Sequence, residues 1–141
     1  MAEPTEGVLY ADTSALVKLV VREAESDAIE AEVARWDRIA TSDIAAIELP
    51  RAASRARADQ RPGVADGRVV LELLAALSIV PMTDEVRALA ATMEPVGLRT
   101  LDAIHLACAL ALGEDLACVL TYDHRMADAA RVRGVAVIAP S

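Results

Sequence analysis

The stretch Val8-Leu9-Tyr10-Ala11-Asp12-Thr13-Ser14 decides the fold. Four apolar residues, set off by Gly7 and followed by a turn-forming Asp-Thr-Ser, predict a short buried strand over residues 8–11. An acid directly after such a strand stands at the strand's end, where α/β folds build their sites. Near the other end of the chain, Cys118-Val119-Leu120-Thr121-Tyr122-Asp123 repeats the pattern of an apolar run closed by an acid.

Between and around these runs, strands alternate with helices. Residues 16–21 and 24–36 read as helices, and residues 39–41 as a short strand. Ser42 or Asp43 caps a helix to about residue 59, with Pro50 removing the bond to the Ala46 carbonyl and kinking it near Glu48. A helix over 64–77 leads to a strand over 78–82, and Thr83 or Asp84 caps a helix to about 93. Residues 101–112 form a helix that Gly113 stops, 116–122 a strand, 124–133 a helix ended by Gly134, and 135–138 a last strand. The order predicts a three-layer α/β/α domain over residues 1–141, with a central, mainly parallel sheet.

Composition narrows the function. The 141 residues are 55% hydrophobic but only 2% aromatic, with no Phe, so the core is aliphatic. The net charge of −8 excludes a broad basic nucleic-acid scaffold. It excludes a nuclease far less, because a cluster of acids that holds cations itself contributes negative charge. Residues 1–7 lack the basic start and apolar stretch of a secretory signal. No apolar run reaches the roughly 18 residues of a membrane span. A cytoplasmic location is expected, with Cys108 and Cys118 as buried free thiols.

Two further acids stand out. Glu48 lies among Ile44, Ala45, Ile47 and Leu49, and Asp102 among Leu101, Ala103, Ile104, Leu106 and Ala107. Charged groups are rarely buried unpaired. Taken singly, Asp12 and Asp123 read as helix caps, Asp102 as a first-turn acid, and Glu48 as a partner of Arg51. Taken together, four carboxylates brought to one place repel each other unless a hard divalent cation bridges them. Thr13, Ser14, Thr100 and Thr121 supply hydroxyls beside them.

Other chemistries fit worse. His105 and His124 lack paired zinc-ligand spacing, and His105 reads as a core residue or a support behind the site. Ser14 has no Gly-x-Ser-x-Gly elbow around it, and neither a phosphate loop nor Gly-x-Gly-x-x-Gly occurs. A phosphoacceptor role for Asp12 leaves Glu48 and Asp102 unexplained.

With these residues in place, the chain resembles the PIN-domain nucleases, and among them the VapC-type toxins of bacterial toxin–antitoxin pairs. The resemblance spans essentially the whole chain. It rests on Ala11-Asp12-Thr13-Ser14-Ala15, Glu48-Leu49-Pro50-Arg51-Ala52, Leu101-Asp102-Ala103-Ile104-His105-Leu106-Ala107 and Leu120-Thr121-Tyr122-Asp123-His124-Arg125. It implies a Mg²⁺- or Mn²⁺-dependent ribonuclease with Asp12, Glu48, Asp102 and Asp123 as metal-binding and catalytic residues. Thr121 matches an auxiliary hydroxyl, and Ser14 assists with waters. It further implies a homodimer, an RNA substrate and a cognate antitoxin protein.

The chemistry of the acids agrees: one or two divalent ions would bind a phosphodiester and lower the pKa of the water that attacks phosphorus. Arg55 returns to the Glu48 face of its helix and Arg51 lies near it, and both are expected to reach RNA phosphates. With Tyr10, Trp36 and Tyr122 the only aromatics, no base-stacking platform is expected, and RNA would be read by shape and backbone. The dimer surface is expected on the apolar helices of residues 16–36 and 64–77. The rival reading is a noncatalytic α/β binding module in which the acids serve as caps and ion-pair partners.

Overall fold

The structure is a computed structural model that describes residues 5–141. Among these residues five strands, β1 (Val8–Ala11), β2 (Ile39–Ser42), β3 (Ser78–Val80), β4 (Leu116–Leu120) and β5 (Val137–Ile138), form one sheet in the order β3-β2-β1-β4-β5. Every neighbouring pair is parallel. Among the described residues seven α-helices cover the sheet: α1 (Thr13–Leu16), α2 (Ser26–Val33), α3 (Ala45–Ala58), α4 (Gly67–Ala76), α5 (Asp84–Ala91), α6 (Thr100–Ala111) and α7 (His124–Val132).

Strand alternation divides the core in two. Leu9 and Ala11 of β1 pack with Leu16, Ile29, Leu49 and Val70, on the side of α1 to α4. Val8 and Tyr10 pack with Val86, Leu106 and Met126, on the side of α5 to α7. With no Phe available, small residues bring the helices close. The buried positions of α6 are Ala103, His105, Leu106, Ala107, Cys108 and Ala109, as expected of a helix apolar on nearly every side. Gly113 and Gly134, at φ +59° and +76°, take the left-handed position that ends α6 and α7. Cys108 and Cys118 are buried free thiols, and burial pushes Cys118 up to about 11.

Three expected helix starts shift, each because a side chain or backbone group is used elsewhere. Asp12 caps α1 at Thr13, so the helix starts before residue 16 and gives way to a 3-10 turn at Val17–Leu19. Val21 and Val64 then pair as an antiparallel bridge, which removes both from helices, and Asp66 caps α4 instead. Ser42 belongs to β2, where its Oγ accepts from the Ile44 N–H at 3.1 Å rather than capping α3. Pro50 lies inside α3, which continues through it to Ala58.

The strand order fixes the site. From β1 the sheet extends to β2 on one side and to β4 on the other, which makes β1/β4 the topological switch point. Ligands of open parallel sheets bind in the crevice outside the carboxyl ends of strands at such a point. Asp12 follows β1 and Asp123 lies just beyond β4.

Candidate active site

Asp12 is 3% exposed and does two jobs at once. Its Oδ1 accepts from the Ala15 N–H at 3.1 Å, capping α1, and from Ser14 Oγ at 2.6 Å. Its Oδ2 accepts from Thr121 Oγ1. Burial raises the Asp12 carboxyl above its usual range, against the opposing pull of the Ser14 and Thr121 hydroxyls. The same two hydroxyls tie the β1 and β4 ends together: Ser14 Oγ accepts from the Tyr122 N–H at 3.0 Å, and Thr121 Oγ1 from the Asp123 N–H at 3.1 Å. Asp123 in turn caps α7 through the Met126 N–H at 3.0 Å.

Glu48 reaches the same place from α3, on the opposite layer from α6. Its Oε1 accepts from Thr13 Oγ1 at 2.6 Å and from His105 Nε2 at 2.9 Å. Burial alone would raise the Glu48 carboxyl; the hydrogen bonds from His105 and Thr13 outweigh it and hold Glu48 below the usual range. Arg51, the ion-pair partner considered from sequence, is exposed and does not take that role.

Asp102 differs from the other three. Its Oδ2 is buried and finds no hydrogen-bond partner among the described residues. Burial, then the charges of Asp123 and Asp12, raise its carboxyl, with His105 and Arg99 opposing. Asp12, Glu48, Asp102 and Asp123 all line one cavity of about 380 Å³, together with Thr13, Ser14, Thr100 and Arg99. The larger cavity of about 610 Å³, between α5 and α6, is lined by Met82, Met93, Val96 and Leu98 and holds none of these acids. Its chemistry does not mark it as the site.

Arg51 and Arg55 do not line the acidic cavity. They border a separate shallow depression with Pro50 and Ser54. The helical period put Arg55 on the Glu48 face, but seven residues carry it ~10 Å further along the axis. Arg99, just before α6, lines the cavity instead. The cue for it in sequence was its place three residues before Asp102. His105, read from sequence as a core residue or support, is 3% exposed and bonded to Glu48. Its ring also lies 3.2 Å from Thr13 Oγ1 and 2.7 Å from the Tyr10 hydroxyl, 95 residues away in sequence, to which no local pattern points.

Comparison with known proteins places the chain in a family. Residues 9–132 match the PIN domain, and the chain belongs to the PIN-domain family. It is 44% identical over 133 residues to ribonuclease VapC46 of Mycobacterium tuberculosis, an alignment covering 94% of this chain and 98% of that one. Ribonuclease VapC47 of the same species is 36% identical over 137 residues, covering 94% and 97%. Among solved structures, Mycobacterium tuberculosis VapC20, described as a Sarcin-Ricin loop cleaving toxin, superimposes with a TM-score of 0.68 at 15% identity over 94% of this chain and 99% of that one. VapBC2 from Rickettsia felis, bound to a DNA fragment from their promoter, gives 0.67 at 14% over 95% and 99%. These two share the fold.

Proposed function

We propose that this protein is a divalent-cation-dependent ribonuclease, the toxin of a toxin–antitoxin pair, with Asp12, Glu48, Asp102 and Asp123 as its active-site acids. The observation that carries the reading is Asp102. Asp12 and Asp123 cap helices and Glu48 has two hydrogen-bond donors, so each has a structural occupation. Asp102 has a buried oxygen with no partner among the described residues, beside two like charges. A binding module built on caps and ion pairs would have no use for it. The full-length similarity to proteins named ribonuclease VapC46 and VapC47 supports the same reading.

The donor set fits a hard cation such as Mg²⁺ or Mn²⁺. All ligand candidates are oxygens, and two carboxyls are raised by burial, one of them also by its acidic neighbours. Among the described residues no group of three His, Cys, Asp or Glu side chains is placed to enclose an ion alone. Mg²⁺ keeps several waters and takes one or two carboxylates plus substrate phosphate. When bound, the cation supplies charge for the phosphodiester and acidifies a water. The chain's own residues supply the rest. Ser14 and Thr121 orient Asp12, Thr13 and His105 orient Glu48, and Arg99 presents a guanidinium to an RNA phosphate at the cavity's edge.

An antitoxin would act by covering this cavity with a basic side chain. The helices of residues 16–36 expose no large hydrophobic side chain, whereas α4 exposes Val69 and Leu71. The homodimer surface we propose is therefore drawn to α4. No helix among the described residues is long and apolar enough to cross a membrane, and we place the protein's action in the cytoplasm, where its RNA substrate is. The deciding experiment is cleavage of structured RNA with Mg²⁺ or Mn²⁺, with EDTA as control, by wild type and Asp102→Asn. Cleavage by wild type that EDTA and Asp102→Asn each abolish is expected. Cleavage indifferent to both would return the acids to structural roles.

A further inference from the structure

We propose that Tyr10 and His105 are a positioning pair that locks Glu48 across the end of the sheet, holding Oε1 in the fold and leaving Oε2 for the cation. The inference rests on the cation-dependent reading above and deepens it.

The geometry begins with Tyr10, fully buried on β1, two residues before Asp12 and on the α6 side of the sheet. Its hydroxyl lies 2.7 Å from His105 Nδ1, with the two rings edge to face at 6.0 Å and 70°. A phenol hydroxyl can donate or accept, so the other ring nitrogen decides the direction of this bond. Nε2 faces Glu48, whose carboxylate can only accept, so Nε2 carries the proton and Nδ1 of the neutral imidazole accepts from Tyr10. Nε2 lies 2.9 Å from Glu48 Oε1, and an N–H there donates to the carboxylate. Thr13 Oγ1 donates to the same Oε1 at 2.6 Å and lies 3.2 Å from Nε2, where it shares the ring N–H with Glu48. Oε2 takes no hydrogen bond from the described residues.

This chain of bonds does what packing alone does not. Glu48 comes from α3 and His105 from α6, on opposite faces of the sheet. Their bond crosses over the end of β1 and ties the two helical layers together at the cavity. His105 stands one turn after Asp102 on α6, so one face of that helix presents one acid itself and orients a second. The tautomer is the critical element. If Nδ1 carried the proton, Nε2 would face Glu48 as a lone pair and repel it. Tyr10 supplies the donor that satisfies Nδ1 as an acceptor and so favours the Nε2–H form, although it never lines the cavity.

The test combines a metal-free readout with metal binding. In the metal-free protein, ¹⁵N NMR of the His105 imidazole is expected to show the Nε2–H tautomer alone, and Tyr10→Phe to give a mixture. Mn²⁺ titration by calorimetry should show affinity lowered about 10–100-fold in His105→Ala, the size typical of lost support behind a ligand. RNA cleavage should lose kcat with KM little changed. His105→Gln, whose carboxamide N–H falls near the Nε2 position, should regain most of both. Tyr10→Phe, nearly isosteric, tests the pair should His105→Ala melt too low to assay. A purely structural His105 would lower melting temperature in every variant without the Gln rescue, and that pattern overturns the proposal, as does a wild-type Nδ1–H tautomer. Asp12→Asn separates the two levels. If wild type binds Mn²⁺, Asp12→Asn does not, and His105→Ala binds like wild type, the positioning pair alone is wrong. If wild type binds no Mn²⁺, the cation reading falls and takes this one with it.

Discussion

The two acids at strand ends and the two acids on helices reach one cavity by different physical routes. Asp12 and Asp123 are bound into the fold: each accepts a backbone N–H as a helix cap, and Asp12 also accepts two hydroxyls. Asp102, in the first turn of α6, makes no side-chain hydrogen bond among the described residues and has a buried oxygen unpartnered, with two like charges nearby. Glu48 lies between the two cases, with its charge sustained by donors that themselves belong to the site. A helix cap and the proposed catalytic role are thus not competing readings of Asp12. The cap sets the backbone that aims the Asp12 carboxylate, whereas the Asp102 carboxylate is aimed by no hydrogen bond of its own among the described residues.

The largest effect is expected at Asp12. Asp12→Ala should abolish RNA cleavage and also lower stability by ~1–2 kcal/mol, the usual cost of a lost cap, with the Ser14 and Thr121 hydroxyls left without their acceptor. Denaturant melts of the metal-free protein check the second part. Asp12→Asn should keep most of the stability, since its remaining oxygen can still accept from the Ala15 N–H and Ser14. An Asp12→Ala protein as stable as wild type would show that the cap contributes nothing.

Asp102→Asn should split the two quantities. Cleavage is lost, yet the metal-free protein gains about 0.5–1 kcal/mol at neutral pH, a modest figure because the group is partly exposed and screened. The pH dependence has a defined sign. The folded Asp102 carboxyl is raised from 3.8, so its contribution is fully present below 3.8 and is lost as pH rises through the folded value. Wild type without metal should therefore lose stability over that rise, and Asp102→Asn should lose less. Added Mn²⁺ should recover the loss in wild type and not in the variant. Melting curves from pH 3 upward, with and without Mn²⁺, read this directly; identical slopes in both proteins would contradict it.

Glu48→Gln should fall between these cases. The carboxamide can still accept from Thr13 and His105, but without charge, so cleavage is lost and stability drops by about 0.5–1.5 kcal/mol. The sign is opposite to that of Asp102. The folded Glu48 is held below 4.5, so its stabilisation is present above 4.5 and disappears as pH falls through the folded value. Acid melts of Glu48→Gln should lack that component.

The contrast also explains what the sequence could reveal. All five strands were legible, because short aliphatic runs between turn residues have few other uses, and the parallel order followed from their alternation with helices. The four acids were legible because each interrupts or closes an apolar run. Helix starts were less so: Val21 and Val64 look helical until they pair with each other across 43 residues of chain. The Tyr10–His105–Glu48 connection joins three elements remote in sequence, and only folding brings them together.

The arginines mark the same limit and give the smallest expected effect. Helical periodicity fixes the face of a residue and not its distance along the axis, which is why Arg55 shares the face of Glu48 without lining its cavity. Arg99 arrives there because the extended backbone before α6, at φ −65° and ψ 150°, brings the chain past the cavity's edge. Its charge also opposes the raising of Asp102. In an Asp12→Asn background, where RNA binds without being cleaved, Arg99→Ala should weaken binding measured by fluorescence anisotropy by about 3–10-fold, on the order of 1 kcal/mol for one exposed phosphate contact. Arg51→Ala and Arg55→Ala should each change it by less than about 2-fold, and the Arg99 effect should shrink as salt rises. A larger loss from Arg55 than from Arg99 would put the RNA path along α3, over the depression beside Pro50, and would restore to the helix face the role that its distance from the cavity argues against.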